Sequence, residues 1–221
     1  MKTASHRKQD AFAFAFLMII FLFFSSFLIF SGFIGNYIAK EEWKFDRIAI
    51  SYMNQIRSEM LTHVFKGITF TGNFLSVLII TLTIAAILIY FKKKKQSLFF
   101  SLNVLGLWLF NEILKQIFRR PRPLELRLVH ASGYSLPSGH SMVFMGLSAL
   151  VIYYILRNIH NRKVSVFISC LIFIYAVLVG LSRVYVGVHY FSDVLTGWTV
   201  GMLWALSSIS LYKKLEFVKK R

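Results

Sequence analysis

Apolar runs alternate with short polar breaks along nearly the whole chain, and the length of the runs decides the class of protein. From Ala11 to Ile34 the sequence is apolar and dense in phenylalanine. At ~1.5 Å per residue a helix of that length crosses a hydrocarbon core of ~30 Å. Further runs predict spans over about Phe65 to Phe91, Ser97 to Phe118, His140 to Leu156, Val164 to Leu181 and Asp193 to Tyr212. The expected fold class is therefore all-α: a polytopic membrane protein with six transmembrane helices in a bundle. The first run exceeds a signal-peptide core and no convincing small-residue cleavage site follows it, so it is read as retained, a cleaved signal being the alternative.

The breaks carry their own patterns. In the first polar loop Phe45, Ile48, Ala49, Tyr52, Met53, Ile56 and Met60 recur at spacings of three and four, which predicts an extracytoplasmic amphipathic helix. It either lies on the membrane surface or caps the bundle. Thr71-Gly72-Asn73 marks an irregularity near the start of the second span. The third span grows polar towards its end, with Asn103, Asn111, Glu112 and Lys115. The loop from Arg119 to Pro137 holds all 3 prolines of the chain, and helix cannot continue far there.

Composition agrees with the pattern. The 221 residues are 57% hydrophobic and 17% aromatic, and the mean hydropathy is +0.62, far above an ordinary soluble domain. A formal net charge of +17 would suit a nucleic-acid binder only if the cations shared one surface. Instead they punctuate the apolar runs: Lys2, Arg7 and Lys8; Lys92 to Lys95; Arg157, Arg162 and Lys163; and Lys213, Lys214, Lys219, Lys220 and Arg221, with only Asp10 and Glu216 among them. With six spans these segments share a side, and the positive-inside rule makes that side the cytoplasm. Both termini are expected there, in the cell membrane, with the other loops outside. The single cysteine, Cys170, permits no intrachain disulfide and reads as a small buried hydrophobe. Residues 1–221 read as one integral-membrane domain.

The outward assignment collects the chemistry. Lys115 to Pro123, Pro137 to His140 and Ser182 to Asp193 all fall at outer ends of spans three to six, where they can share one pocket. Lys115, Arg122 and Arg183 supply cations suited to phosphoryl oxygens. Ser138 and Gly139 open a span, so their backbone N–H groups can face an anion. His140 and His189 allow one nucleophile and one acid. If helix begins near His189, that residue and Asp193 stand at i and i+4, within reach of each other. No acidic cluster suited to magnesium or calcium is present, which favours a metal-free route through a phosphohistidine.

The spacing Lys115-x6-Arg122-Pro123, then Pro137-Ser138-Gly139-His140, then Ser182-Arg183-x5-His189-x3-Asp193 resembles the three-part signature of the type 2 phosphatidic acid phosphatase (PAP2) superfamily, the lipid phosphate phosphatases. The resemblance implies that His189 is the nucleophile, oriented by Asp193, and that His140 is the acid for the leaving group. It also implies that Lys115, Arg122, Arg183 and the Ser138–Gly139 region bind phosphate; Ser182 is a weaker member that serves to fix Arg183. The family often carries an aromatic residue before the Pro-Ser-Gly-His run; Leu136 stands there, a departure that touches pocket lining. For attack His189 must be neutral, which an ordinary pKa of ~6.5 permits near pH 7.

Taken singly, these elements have plainer readings. Pro137 to His140 is also a turn before a helix, and Arg119 and Arg120 read as interfacial anchors for lipid headgroups. His63, His130 and His160 read as solvated or interfacial, and Glu112 either pairs with Lys115 or faces the pocket. The expected activity is metal-independent hydrolysis of a terminal lipid phosphate, with undecaprenyl diphosphate and then phosphatidylglycerol phosphate favoured, and phosphatidate third. Expected partners are that lipid and the membrane, with no cofactor, nucleic acid or obligate protein partner. A phosphotransferase of the same fold, an anion or lipid transporter, and a non-catalytic phosphate sensor are the alternatives.

Overall fold

The computed structural model describes residues 43–124 and 127–218, so the first predicted span, Ala11 to Ile34, lies outside the described residues. Among these residues the chain forms α1 (Lys44–Gln55), α2 (Glu59–Thr71), α3 (Phe74–Tyr90), α4 (Lys94–Phe118), α5 (Gly139–Asn158), α6 (Arg162–Tyr185) and α7 (Phe191–Val218), with no strand. The all-α expectation holds. Four of these helices, α4 to α7, are each long and apolar enough to span a membrane, and α2 with α3 makes a fifth candidate bent by 54°.

Several boundaries differ from the periodicity: α6 runs past Leu181 to Tyr185, so Ser182 and Arg183 are helical, α4 begins at Lys94, and α7 covers Phe191–Val218. Two other differences shape the site. The amphipathic stretch is not one helix to Met60, because Ser58 starts a new one: its Oγ accepts the Leu61 N–H at 3.3 Å, satisfying a donor that a helix N-terminus otherwise leaves unpaired. At this turn Arg57 Nη2 donates to the Tyr185 carbonyl at 3.0 Å, tying the loop to the end of α6. The second span begins early, at Glu59, and then breaks at Gly72. There the Thr71 hydroxyl turns back to the Ile68 carbonyl at 2.8 Å, and a Cβ on Gly72 would stand 2.7 Å from the His140 ring.

Helix α5 lies at the centre, buried along most of its length, and packs closely on α7. Small residues make that approach possible, as expected where lipid supplies no hydrophobic drive between helices. A Cβ on Gly201 would strike the Met142 carbonyl oxygen, and one on Gly197 would stand 2.8 Å from the Ser138 carbonyl. The outer helices turn leucines away from the bundle; on α4, Leu98, Leu102, Leu105 and Leu109 form an exposed stripe at helical spacing. Cys170 belongs to such a face and is exposed, not buried as expected. An apolar residue facing lipid and one facing the core read alike in sequence.

Helix α1 does cap the bundle. Met53 and Ile56 pack on the buried cluster Tyr185, Val186 and Val188 at the end of α6, while Phe45, Ile48 and Tyr52 form an exposed apolar stripe. At the other end of the bundle the basic loops meet: Lys93 Nζ donates to Asn158 Oδ1 at 2.6 Å, and Lys213 lies 5.2 Å from the Tyr153 ring centre.

Gly201→Ala is expected to push α5 and α7 apart and cost roughly 1–3 kcal/mol, as overpacking does. Gly67→Ala, on α2 with nothing within 4 Å of the added carbon, should be neutral or stabilising by about 0.5–1 kcal/mol. Thermal unfolding of both variants in detergent checks the contrast.

Candidate active site

The site is assembled from the ends of four helices. Lys115 lies in the last turn of α4, and the loop after it carries Arg122 inward. The helix stops because Arg119 adopts the left-handed conformation (φ 47°), its N–H closing on the Lys115 carbonyl. That turn leaves Arg119 exposed and points Arg120 into the protein. Gly139 and His140 open α5, Arg183 lies in the last turn of α6, and Asp193 lies in the first turn of α7.

One cavity of about 410 Å³ is lined by Lys115, Arg122, Gly139, His140, Arg183 and His189. Ser138 and Asp193 stand behind it, each 0% exposed. All eight residues expected at the site are thus brought together. Lys66 and His130 also line the cavity, and among the described residues no carboxylate does. His130 is exposed in its loop, as expected, and borders the cavity as well. Lys115 is paired with Glu112, Nζ to Oε1 at 3.0 Å, which decides the position of that acid.

His189 is not on the helix that holds its partner. It lies just before α7, in a run of turns from Val186, with Tyr190 as the capping residue. The Asp193 carboxylate reaches back from the first turn: Oδ2 accepts the Tyr190 N–H at 3.0 Å and lies 3.4 Å from His189 Nδ1. This is half of a capping box. On the other side of the ring, Arg122 Nη1 donates to His189 Nε2 at 3.0 Å. A guanidinium cannot accept, so Nε2 carries the lone pair and Nδ1 the proton. Burial, first, and then Arg183, Arg122 and Lys115 push the His189 pKa well below its ordinary value. The ring is neutral at pH 7, with its lone pair taken by Arg122 at the cavity wall.

The cations are held just as firmly. Arg122 donates through Nη2 and Nε to the Ser132 carbonyl, through Nε to that of Gly133, and through Nη1 to that of Val188 at 2.8 Å. Its own burial lowers its pKa, against the pull of Asp193. Arg183 Nη1 donates to the Thr69 hydroxyl on α2. Ser182 donates its hydroxyl to the Val179 carbonyl within α6, and so does not fix Arg183. The Ser138 N–H is occupied by the Asp193 carbonyl at 3.1 Å, which leaves Gly139 as the backbone donor at the start of α5. A side chain there would meet Asn111 Oδ1 at 2.8 Å and approach Lys115 Nζ at 3.8 Å.

Several contributors were not assigned to the site from the sequence. Asn73, at the α2–α3 break, places Oδ1 2.9 Å from His140 Nε2. Thr69 holds Arg183, and Asn111 Nδ2 donates to the Pro137 carbonyl at 3.4 Å. Arg120, expected at the lipid interface, is half-buried between Asp46 and Asp193, at 2.8 and 2.7 Å. The two carboxylates explain the difference, since they outweigh burial and hold its charge. The signals were faint: a break before Asn73, and an acid in an otherwise amphipathic helix.

The family model of the PAP2 superfamily matches residues 94–217, more than half of the chain. The chain belongs to the PAP2 superfamily. It is 35% identical over 153 residues to phosphatidylglycerophosphatase B of Bacillus subtilis, covering 67% of this chain and 73% of that protein. It is 33% identical over 104 residues to the dolichyldiphosphatase of Saccharomyces cerevisiae, covering 43% of each. Among solved structures, a transmembrane PAP2-type phosphatidylglycerolphosphate phosphatase from Bacillus subtilis matches with a TM-score of 0.77 at 28% identity, over 89% of this chain and 96% of that one. Aquifex aeolicus LpxE matches in fold, with a TM-score of 0.60 at 23% identity, over 73% of this chain and 92% of its own. The PAP2 match begins at the start of α4, so α1 to α3, with Asp46, Thr69 and Asn73, lie ahead of it.

Because burial and three cations disfavour its charged form, His189 should take up a proton only when the pH falls well below ~6.5. Arg122→Gln removes one of those cations and should move that titration to higher pH. Ring-carbon NMR of histidine-labelled protein in detergent, assigned with His189→Gln, reads both effects.

Proposed function

We propose that this multi-pass lipid phosphatase removes the terminal phosphate of a membrane lipid through a phosphohistidine on His189, at the outer face of the cytoplasmic membrane. The observation that carries the reading is the His189 ring, its Nε2 bonded by Arg122 at 3.0 Å, beside a cavity that Lys115, Arg122 and Arg183 line.

The chemistry follows from that arrangement. The phosphate enters among the three cations, which match its oxygens and stabilise the five-coordinate transition state. Nε2 attacks phosphorus, the bond from phosphorus to the leaving oxygen breaks, and His140 gives that oxygen its proton. Asp193 holds the Nδ1 proton and balances the charge that develops on the ring. Water then attacks the phosphohistidine, giving its proton to His140. The N–P bond breaks, inorganic phosphate leaves, and both histidines return to their starting states. Arg122, 3.0 Å from Nε2, must yield that lone pair to phosphorus as the new bond forms, and its N–H is then placed to serve a phosphoryl oxygen.

The sidedness rests on charge. The Lys92 to Lys95 and Arg157 to Lys163 loops meet at the end of the bundle away from the cavity, and the positive-inside rule puts them in the cytoplasm. Two of the relatives are named for their substrates, one a phosphatidylglycerophosphatase and one a dolichyldiphosphatase. Undecaprenyl diphosphate stays first and phosphatidylglycerol phosphate second.

Purified protein in detergent with EDTA should release phosphate from these lipids, and His189→Ala should lower kcat by at least ~10³-fold. Turnover that survives this substitution overturns the nucleophile assignment, and turnover that needs added metal overturns the metal-free route. Competition among diphosphate and monophosphate lipids, scored by kcat/KM, decides the substrate.

A further inference from the structure

Asp46 is a fully buried carboxylate on an amphipathic helix, and it lies outside the segment that the PAP2 family model matches. A buried charge of this kind persists only where it is paired and hydrogen-bonded. Its oxygens take three donors at short range. Oδ1 accepts the Ser192 N–H at 2.8 Å, and Oδ2 accepts the Ser192 hydroxyl at 2.6 Å and Arg120 Nη2 at 2.8 Å. The other arm of the same guanidinium, Nη1, donates to Asp193 Oδ1 at 2.7 Å and to the Ser192 hydroxyl at 2.7 Å. The Tyr190 ring lies against the guanidinium, 4.0 Å from centroid to Cζ. One arginine therefore bridges two buried carboxylates, one of them the partner of His189.

We propose that Asp46 is a positioning residue for the reaction, acting through Arg120 on Asp193. The proposal rests on the reading of His189 as nucleophile. Asp193 must do two things: keep its Oδ2 turned towards His189, and keep enough negative charge to balance the ring when phosphorus bonds to Nε2. Arg120 secures the first by holding Oδ1. Alone, its full positive charge 2.7 Å away would spoil the second. Asp46 shares that charge, and the trio carries one net negative charge beside the imidazole. By gripping Ser192 through both N–H and hydroxyl, Asp46 also pins the first turn of α7, from which Asp193 projects. No atom of Asp46 lines the cavity, so its effect should fall on the chemical step and not on substrate binding.

Asp46→Asn keeps the shape and removes the charge. The expected result is a kcat lower by roughly 10–100-fold, the range for outer partners that orient the groups of a site, with KM within about 2-fold. Arg120→Gln should behave alike, and the double variant should be no worse than the weaker single one, because both act through one chain of contacts. A kcat within about 2-fold of wild type for Asp46→Asn overturns the proposal, as do multiplying effects in the double variant. Should Asp46→Asn fail to fold, Ser192→Ala removes only the bridging hydroxyl. It should lower kcat with KM kept, and an unchanged kcat overturns the proposal. If His189→Ala is inactive while Asp46→Asn is fully active, the proposal alone fails; if His189→Ala is active, the nucleophile reading itself fails.

Discussion

Two carboxylate oxygens of Asp193 set the geometry on which the rest of the site depends. Oδ2 caps the start of α7 and faces the His189 ring, while Oδ1 takes Arg120. The Asp193 backbone carbonyl receives the Ser138 N–H and so fixes the start of α5, where His140 sits. One residue thereby ties both histidines to the contact between α5 and α7, which small residues make close. A helix start suits this task. Its unpaired N–H groups must find acceptors, and a first-turn carboxylate supplies one without a long side chain to immobilise.

Much of this was legible in the sequence because the chemistry needs particular residue types and the bilayer needs particular lengths. Lys115, Arg122, His140, Arg183, His189 and Asp193 stand out as polar groups at the edges of apolar runs, where each needs a reason. What stayed hidden has a common cause. Asp46, Thr69, Asn73 and Asn111 act singly, each as the partner of a residue 26 to 146 positions away in the chain. A lone polar residue in a helix reads as solvated when its helix is amphipathic, as for Asp46, and as a minor blemish when its helix is apolar, as for Asn111. The i, i+4 reading of His189 and Asp193 reached the correct pair by an incomplete route. The two are neighbours because the carboxylate turns back over the helix start, and the histidine precedes the helix.

The bend between α2 and α3 shows how an irregular membrane helix can belong to a catalytic device. At the break a side chain on Gly72 would place its Cβ 2.7 Å from the His140 ring, and the backbone groups freed there need partners. Three residues absorb the cost: Gly72 leaves room for the ring, Thr71 bonds both the Ile68 carbonyl and the Tyr175 hydroxyl, and Asn73 turns its side chain to His140. One turn earlier Thr69 accepts from Arg183. The segment ahead of the PAP2 match therefore touches two of the cavity's polar residues, a cation and a histidine, through uncharged oxygens. Uncharged partners orient such groups without cancelling the charge that the phosphate needs. A carboxylate at position 69 or 73 would hold the same side chains as well, but it would pair with the cation and repel the anion from the cavity. Two acidic partners, Asp46 and Asp193, stand instead behind His189, where negative charge helps the ring and does not face the substrate; the third, Glu112, pairs with Lys115 from outside the cavity lining.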